Sequence, residues 1–317
     1  MSAENVVMLK LLAAFAAFAA GVVAVLAVVL LAHSTPSAGS TSGGPQAAAS
    51  PPPPPPAAAP AFPNPPAGAL VLAKQDRDLA VGFALARDDS AQVSVVGQEG
   101  PASGLSVSVN GVRAKACGPG CYRTGQTRSP DVEVAIRGPN RPASSVLFEL
   151  FLPRQGDPSG AAIVRRAERT WRSLHSLVVH DRLSSGPGSL LQTVWRFVSP
   201  HRMTYQIKNG PAAVAIGSRR WDKLPGQHWE ASEQDPITEP IPLWKSVSNA
   251  HLLHSGTLRG HAVWKVSFFD AQLPAWFTIW VDKTTGRTLE LRMVAQAHFM
   301  HQVYGPFNSA LRIEPPK

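Results

Sequence analysis

The stretch "TLELRMVAQAHFMHQVYGPF", residues 288–307, carries an apolar or small side chain at nearly every second position. One face of such a ribbon holds Leu289, Leu291, Met293, Ala295, Ala297, Phe299 and Val303, and only His301 interrupts the series. Alternation with a period of two is typical of a β-strand with one buried face. An ordinary strand has about five or six residues, so we predict an unusually long ribbon whose apolar face needs a cover.

The rest of the C-terminal half, residues 154–317, extends this β pattern. Asp157-Pro158 has the composition of a helix start, and the apolar face of that helix is predicted to hold Ile163, Ala167, Trp171 and Leu174. Alternating segments follow, interrupted by a Pro-rich break and a second, short helix predicted within residues 244–256. We therefore predict long antiparallel strands that curve around their own apolar face and are closed by helices.

Two pieces of this half, "SPHRMTYQI" (199–207) and "WVDKTTGRTLELRM" (280–293), resemble the LolA/LppX class of lipoprotein carriers. The resemblance implies an open half-barrel with helices over the open face and acyl chains held inside. The residues expected to line such a cavity are Phe277, Ile279, Val281, Leu289, Leu291, Met293 and Phe299. The alternative is a packed core, in which the same side chains stabilise folding without any ligand.

The net charge of +9 lies mostly in residues 154–317, which hold 20 Lys or Arg and 12 Asp or Glu. On the predicted helix, Arg165, Arg166 and Arg169 lie away from the apolar face and are available to acidic headgroups. A basic body outside the cell favours acidic lipids or acidic envelope polymers as partners and not nucleic acid. A solvated surface without a partner is the alternative.

The middle region, residues 69–153, consists of short alternating segments separated by Gly, Pro and Asn, which predicts an immunoglobulin-like β-sandwich. Asn110-Gly111 predicts a type I′ hairpin turn. Cys117 and Cys121 are the only cysteines, and we predict a structural disulfide between them, with Cu(I) binding by two thiolates or a redox role as the alternatives. "SGLSVSVNG" and "CGPGCYR" resemble the extracytoplasmic domain that accompanies copper-resistance membrane proteins of the CopC/CopD type.

The N-terminal part predicts how the protein is anchored. Residues 11–32 are apolar and uncharged and are long enough for one transmembrane helix, although a cleaved signal peptide is the alternative. Residues 1–10 are predicted to be cytoplasmic, because Lys10 precedes the helix and the next basic residue is Lys74. Residues 33–68, with 12 of the 30 prolines, predict a disordered, extended linker.

Metal and catalytic motifs are weak or absent in the sequence. His251 and His254 would share a helix face, and His298 and Met300 would share a strand face, a pair soft enough for Cu(I). No GxSxG, HExxH, GxGxxG or phosphate-loop motif occurs. We therefore expect no resident cofactor, no enzymatic activity and no metal site beyond a low-priority copper candidate.

Together these patterns predict a mainly β, α+β protein at the cell membrane, crossing it once, with its body outside the cytoplasm. The domain order is the cytoplasmic N-terminus, the transmembrane helix, the linker, the β-sandwich and the LolA-like half-barrel at 154–317. The predicted function is to bind a lipid or another hydrophobic ligand. Copper handling or resistance is the first alternative, and a non-catalytic cell-envelope interaction module is the second.

Overall fold

The computed structural model describes residues 61–127, 129–150 and 156–317. In these residues the protein is mainly β-structure, with antiparallel strands in three sheets and a single α-helix. Within the same residues, no helix has the length and apolar character needed to cross a membrane. The predicted N-terminus, residues 1–10, the predicted anchor, residues 11–32, and positions 33–60 of the predicted linker lie outside the described residues.

In the described residues, ten short strands precede the helix. In chain order they are β1 (Leu70–Asp76), β2 (Leu79–Leu85), β3 (Ser90–Gly97), β4 (Gly100–Pro101), β5 (Ser106–Val109), β6 (Val112–Arg113), β7 (Lys115–Gly118), β8 (Cys121–Gln126), β9 (Asp131–Gly138) and β10 (Arg141–Glu149). They form one sheet in the order β1-β2-β3-β8-β7, with β4 on β3, and a second sheet in the order β10-β9-β5-β6.

The two small sheets share one core because their strands alternate between buried and exposed side chains. On β9, Val132, Val134 and Ile136 are fully buried, and they belong to the same cluster as Phe83 and Val93 of the first sheet. Consecutive strands β1, β2 and β3 are neighbours here, whereas in an immunoglobulin sheet the second strand lies beside the fifth. The strand order therefore differs from the predicted immunoglobulin-like arrangement.

The predicted turn at Asn110-Gly111 is confirmed. Both residues have positive φ, 48° and 78°, and Val109 pairs with Val112 across the turn. A type I′ turn needs φ > 0 at both central positions, which Asn and Gly tolerate best. Here the local sequence alone determines the register of the hairpin.

The helix α1 (Gly160–Arg172) begins two residues later than predicted. Its N-cap is Ser159, whose hydroxyl accepts a hydrogen bond from the Ala162 N–H at 3.3 Å, and not Asp157. Ser is as good a cap as Asp. The predicted apolar face is confirmed, because Ile163, Ala167, Trp171 and Leu174 are all buried.

Eleven strands follow the helix and form one sheet. They are β11 (Ser176–Gly186), β12 (Ser189–Val198), β13 (Arg202–Ile207), β14 (Ala212–Ile216), β15 (Arg219–Lys223), β16 (Glu230–Glu233), β17 (Ser248–Leu258), β18 (His261–Asp270), β19 (Ala275–Asp282), β20 (Thr288–Ala295) and β21 (His298–Phe307). The order is β16-β15-β14-β13-β12-β11-β21-β20-β19-β18-β17. The sheet is curved and does not close into a barrel.

The ribbon at 288–307 is two strands and not one, so this prediction is wrong. Ala295 pairs with His298, and Gln296 and Ala297 form the turn between β20 and β21, with Ala297 at φ 54°. Because the turn has two residues, the side chains of one face are the odd-numbered residues of β20 and the even-numbered residues of β21, so the alternation that runs through 288–307 does not mark one continuous face. The two strands of this hairpin pair with each other, and they also pair with β19 and β11 on either side.

The short helix predicted within 244–256 is also wrong, because residues 248–258 form the edge strand β17. This strand pairs with β18 and carries register shifts between Ser248 and His251 and between Leu252 and His254. Extra residues at such bulges blur the period-two pattern. The pairing partner, which lies later in the chain, therefore overrides the local helical spacing.

The small sheets pack against the large sheet through a second buried cluster. Trp276 of β19 lies in this cluster together with Phe269, Val294, Phe299 and apolar residues of β1 and β2. A Cβ atom on Gly82 would lie 2.3 Å from the Trp276 ring, so only glycine permits this approach. Phe62, which falls within the predicted linker, packs on Phe269 at 5.9 Å and on Trp276 at 5.3 Å between ring centroids.

Candidate ligand-binding site

The large sheet has an inner face, defined here as the face that contacts α1. The Trp171 ring of α1 meets Tyr304 of β21 edge-on, with 5.3 Å between ring centroids. Residues directly opposite each other on paired strands share a face. Val179 is opposite Tyr304 on one side and Trp195 on the other, and Trp195 is opposite Tyr205. All four residues therefore lie on the inner face. The outer face is the other side, against which the small sheets pack.

Five of the seven predicted cavity residues lie on the inner face beneath the helix and are packed. Phe277, Ile279, Val281, Leu291 and Met293 are at most 2% exposed. The Phe277 ring stacks on Phe268 at 5.1 Å and meets Trp244 at 6.3 Å between centroids. These side chains fill one another's space in the described structure, which is the packed-core alternative.

The other two predicted cavity residues lie elsewhere. Leu289 is 6% exposed and is the extra residue of a β-bulge between β19 and β20. Phe299 is opposite Val294, while Met293 is opposite Met300, so Phe299 and Met293 are on different faces. The two-residue turn at 296–297 causes this difference. Across it, odd-numbered residues of β20 lie on the same face as even-numbered residues of β21.

The cover over this packed half is held by two indole N–H groups. Trp171 Nε1 donates to Thr288 Oγ1 at 3.2 Å, and Trp244 Nε1 donates to Glu168 Oε1 at 2.9 Å. Both indoles are buried, so each hydrogen bond also satisfies a donor that water cannot reach. Helix α1 is thereby fastened over β17–β20.

The remaining inner face, which we call the open wing, comprises the inner side chains of β12 and β13. Its half-buried members are Leu191, Trp195, Phe197, Met203 and Tyr205, while Thr193 and Ile207, at 3% and 5% exposed, are buried. The Trp195 ring stacks on Phe197 at 6.2 Å and lies 4.9 Å from Tyr205. The main strand contacts of helix α1 are with β17 and β18, and its Trp171 also meets Tyr304 of β21. The wing is therefore a largely apolar surface of the curved sheet that remains partly exposed.

Two polar features border the open wing. Arg220 and Asp222 of β15 form a two-pronged ion pair at 2.6 and 2.7 Å, on the inner face next to Tyr205. At one end, the chain that leads from β16 to Trp244 is tied to the β12–β13 turn, since the Glu239 N–H donates to the Pro200 carbonyl at 3.0 Å. The wing thus has an apolar floor and a polar rim.

Asp181 of β11 lies between the packed half and the open wing. Its side chain is 4% exposed, and Oδ1 has no hydrogen-bond partner among the described residues. Burial raises the pKa of this carboxyl to about 7, and hydrogen bonds with Trp195 and Gln302 offset only part of that rise. A buried acid of this kind favours its neutral form, because the surroundings do not solvate a negative charge.

The three predicted headgroup arginines separate into two groups. Arg165 and Arg169 are exposed, as predicted. Arg166 instead donates from Nη2 to the Thr284 carbonyl at 2.8 Å and stacks over the Trp264 ring at 5.6 Å. Arg166 therefore fastens the helix to the β19–β20 turn.

The predicted disulfide is present: Cys117 and Cys121 are bonded to each other. Because both sulfurs are used in this bond, neither is a thiolate that can take Cu(I). His298 and Met300 occur at alternate positions of β21, where Met300 is buried and the His298 ring is hydrogen-bonded to the Gln296 carbonyl at 2.9 Å. Within the described ranges, no three His, Cys, Asp or Glu side chains are grouped as a metal site.

The open wing was missed as a site at the sequence level, although its signal was present. "LLQTVWRFVS" and "RMTYQI" alternate, and most of the residues that now lie on the inner face are apolar, with Thr193 as the exception on β12. What the sequence did not show is the short reach of α1. A helix of 13 residues spans only about 20 Å.

Comparison with known proteins gives similar solved structures but no family. No family model and no curated protein matches the chain. LprF from Mycobacterium bovis is 12% identical, with 51% of this chain and 99% of that chain covered and a TM-score of 0.38. Lipoprotein LppX from Mycobacterium tuberculosis is 12% identical, with 50% and 100% covered and a TM-score of 0.38.

A LolA superfamily protein from Nitrosomonas europaea also matches, at 12% identity over 50% of this chain and 96% of that chain, with a TM-score of 0.23. These matches cover the C-terminal half and are the class that the sequence of this half resembles. No match shows the CopC/CopD-like character expected for the middle region. Because each TM-score is below 0.5, we base the function on the residues of this chain.

Proposed function

We propose that this protein is a non-catalytic, membrane-anchored binding protein that holds a lipid or another hydrophobic ligand on the open wing. The observation that supports this most directly is the half-buried aromatic cluster of Trp195, Phe197 and Tyr205 on the inner face. Ligand sites are typically concave and apolar, with a few polar groups at defined places. The wing has this composition, with the Arg220–Asp222 pair at its rim.

The proposed ligand is an acyl chain or a similarly slender apolar group. The wing is a strip formed by the inner side chains of β12 and β13, and a flexible chain can follow such a strip. The Arg220 guanidinium at the rim can pair with an acidic headgroup, although Asp222 already engages it. This replaces the buried residues around Phe277 as the proposed contact surface, while the ligand class predicted from the sequence is kept.

The proposed location is the outer side of the cell membrane. The uncharged apolar segment at 11–32 supports one membrane crossing. The Cys117–Cys121 disulfide supports an oxidising compartment, since disulfides seldom persist in the cytosol. A Pro-rich linker at 33–60 would then hold the body away from the bilayer.

The test is lipid analysis of the full-length protein and of two variants on the same strand. Trp195→Ala removes the centre of the wing, whereas Leu190→Ala removes an exposed apolar side chain beside the wing's first residue. We expect lipid to co-purify with the wild type and with L190A, and to be reduced about tenfold or more in W195A. Lipid that stays with W195A, or a wild type that carries none, contradicts the proposal.

The two alternatives have their own readouts in the same samples. Copper retained by the protein, measured by elemental analysis, would support the copper-handling role that the resemblance of the middle region implies. A protein that purifies with neither lipid nor copper would support the third function, an interaction module in which the apolar side chains of the sheet serve only as structural core. Of the three functions, lipid or hydrophobic-ligand binding is the one that the open wing favours.

A further inference from the structure

The outer face of the large sheet contains a cleft with a volume of about 510 Å³. Strand β1 and the end of β10 form one wall, and strands β18–β21 form most of the other. Small-molecule sites have volumes of about 300–1,000 Å³. Because this cleft lies on the side of the small sheets, it is separate from the open wing.

The cleft has an apolar end and a polar end. Its apolar end is formed by Leu72, Trp276, Val294 and Phe299, which are all at most 9% exposed. Trp280, which is half-buried, lies in the same wall, four residues after Trp276 on β19. An apolar group of a ligand would therefore replace water next to aromatic rings.

The polar end is rich in cations. Lys74, Lys265 and Arg292 line it together with His301, and Glu149 is the single carboxylate in the lining. The nearby Glu290 is already engaged, at 2.9 Å by His301 Nε2 and at 3.4 Å by Arg292 Nη2. The Lys74 ammonium donates to the Leu147 carbonyl at 2.6 Å, which holds it in the wall of the cleft.

Lys265 is the least compensated of these cations. Its side chain is half-buried, and in the described part of the chain its ammonium contacts no carboxylate within 4 Å; it lies 5.3 Å from the Trp280 ring centre. Burial lowers its pKa, the positive charges of Arg292 and Lys74 act in the same direction, and the charges of Glu149 and Glu290 offset part of the change. A half-buried cation next to other cations is stabilised by an anion more than by water.

Arg292 lies over the same ring, also at 5.3 Å from its centre. Trp280 thus carries two cations, Lys265 and Arg292, and these flank the passage from the polar to the apolar end. The geometry gives a ligand two simultaneous contacts, one ionic and one with the aromatic surface.

We propose that this cleft binds a small organic anion, namely a carboxylate or phosphate joined to an apolar group. The anionic group lies between Lys265, Lys74 and Arg292, and the apolar group packs against Trp276 and Trp280. Neither an inorganic anion nor a neutral apolar molecule makes both sets of contacts. The site does not depend on the proposed function of the open wing.

The test uses the full-length protein in phosphatidylcholine nanodiscs, with empty nanodiscs as the blank. The probe is 1-naphthyl phosphate, followed by fluorescence anisotropy, and the competitors are inorganic phosphate and 1-naphthol. We expect the probe to bind at least about tenfold more tightly than either competitor, because it combines their contacts. Equal affinity of the probe and of one competitor would overturn the two-part site.

Matched variants locate the binding. Lys265→Met keeps the length of the side chain but removes its charge, and should weaken probe binding about tenfold or more. Lys208→Met, at an exposed position between β13 and β14, should leave it unchanged. If K265M does not fold, Arg292→Met serves, since that side chain is 60% exposed. Unchanged probe binding in the folded variant would contradict the proposal.

Changing the lipid of the nanodisc distinguishes two sources of the anion, a lipid headgroup and a soluble molecule. Phosphatidylglycerol that competes with 1-naphthyl phosphate would assign the cleft to an acidic lipid headgroup. Phosphatidylglycerol that leaves probe binding unchanged would assign it to a soluble organic anion. A W195A variant, which removes the open wing, should bind the probe normally, so that failure of one site is distinguishable from failure of the other.

Discussion

The two halves of the inner face have similar composition but different surroundings. Beneath α1, Phe277 is 1% exposed and touches two aromatic rings. On the open wing, Phe197 occupies an equivalent inward position, yet it is half-buried and its described ring contact is Trp195. An apolar alternation therefore indicates which side chains face inward. The cover decides whether they become core or binding surface.

The largest expected effect compares these two phenylalanines directly. Phe277→Ala should lower the free energy of unfolding by about 3–5 kcal/mol, because it leaves a cavity in a packed core. Phe197→Ala should cost about 1–2 kcal/mol, because less apolar area is buried there. Urea denaturation of both variants measures the difference. Equal losses would mean that the wing is as well packed as the covered half.

The next effect concerns Asp181, which lies between the two halves. The pKa of its carboxyl is about 7 in the folded state and near 3.8 in the unfolded state. Between pH 3.8 and pH 7 the carboxyl is therefore protonated in the folded state and ionised in the unfolded state. The contribution of Asp181 to stability should therefore be fully present at and below about pH 4 and be lost as the pH rises through about 7. Asp181→Asn should remove this loss and raise the free energy of unfolding at pH 8 by roughly 2–4 kcal/mol.

The measurement is urea denaturation of wild type and D181N at pH 4.5 and pH 8, with Asp235→Asn, at an exposed loop position, as the control. Glu239 contributes in the same direction, because burial also raises its pKa to about 7. D181N should thus reduce the pH dependence without abolishing it. A variant with the slope of the wild type would contradict the assignment to Asp181.

A smaller effect tests the cover. Trp171→Phe removes the N–H donated to Thr288 and should cost about 1–2 kcal/mol, since a buried acceptor loses its donor. Trp221→Phe, on β15 near the sheet edge, should cost under about 0.5 kcal/mol. Thermal unfolding of the two variants is the comparison. A cost for W221F as large as that for W171F would show that the indole N–H of Trp171 contributes little.

The smallest effect separates neighbouring arginines of α1. Arg166→Met removes one hydrogen bond to Thr284 and the stacking on Trp264, for an expected loss of about 1 kcal/mol. Arg165→Met, at an exposed position, should change stability by less than about 0.5 kcal/mol. If the two variants are equally stable in chemical denaturation, Arg166 is a solvated residue and does not hold the cover.

Several features were predictable because neighbouring residues determine them. The helix face at Ile163, Ala167 and Trp171 follows from spacing, and the Asn110-Gly111 turn follows from backbone preference. The Cys117–Cys121 disulfide follows from two cysteines separated by Gly-Pro-Gly, which allows a tight turn. In each case the partners lie within a few residues of each other, so no distant contact can change the outcome.

The errors share the opposite property. The turn at Gln296-Ala297 lacks the Gly or Asn that usually marks a hairpin, so 288–307 looked like one strand and Phe299 was assigned to the wrong face. The strand at 248–258 looked helical until β18 paired with it. Phe62 was assigned to a linker, although Phe269 and Trp276, more than 200 residues later, provide its packing surface.

By itself, the sequence determined the β class, the helix, the disulfide and the set of apolar residues that must turn away from water, because these depend on local chemistry and periodicity. Only the tertiary structure decided which of those residues are core and which form a surface. It also brought Lys74, Lys265 and Arg292 together across three strands. Burial and electrostatics depend on what lies opposite a side chain, and chain neighbours do not specify that.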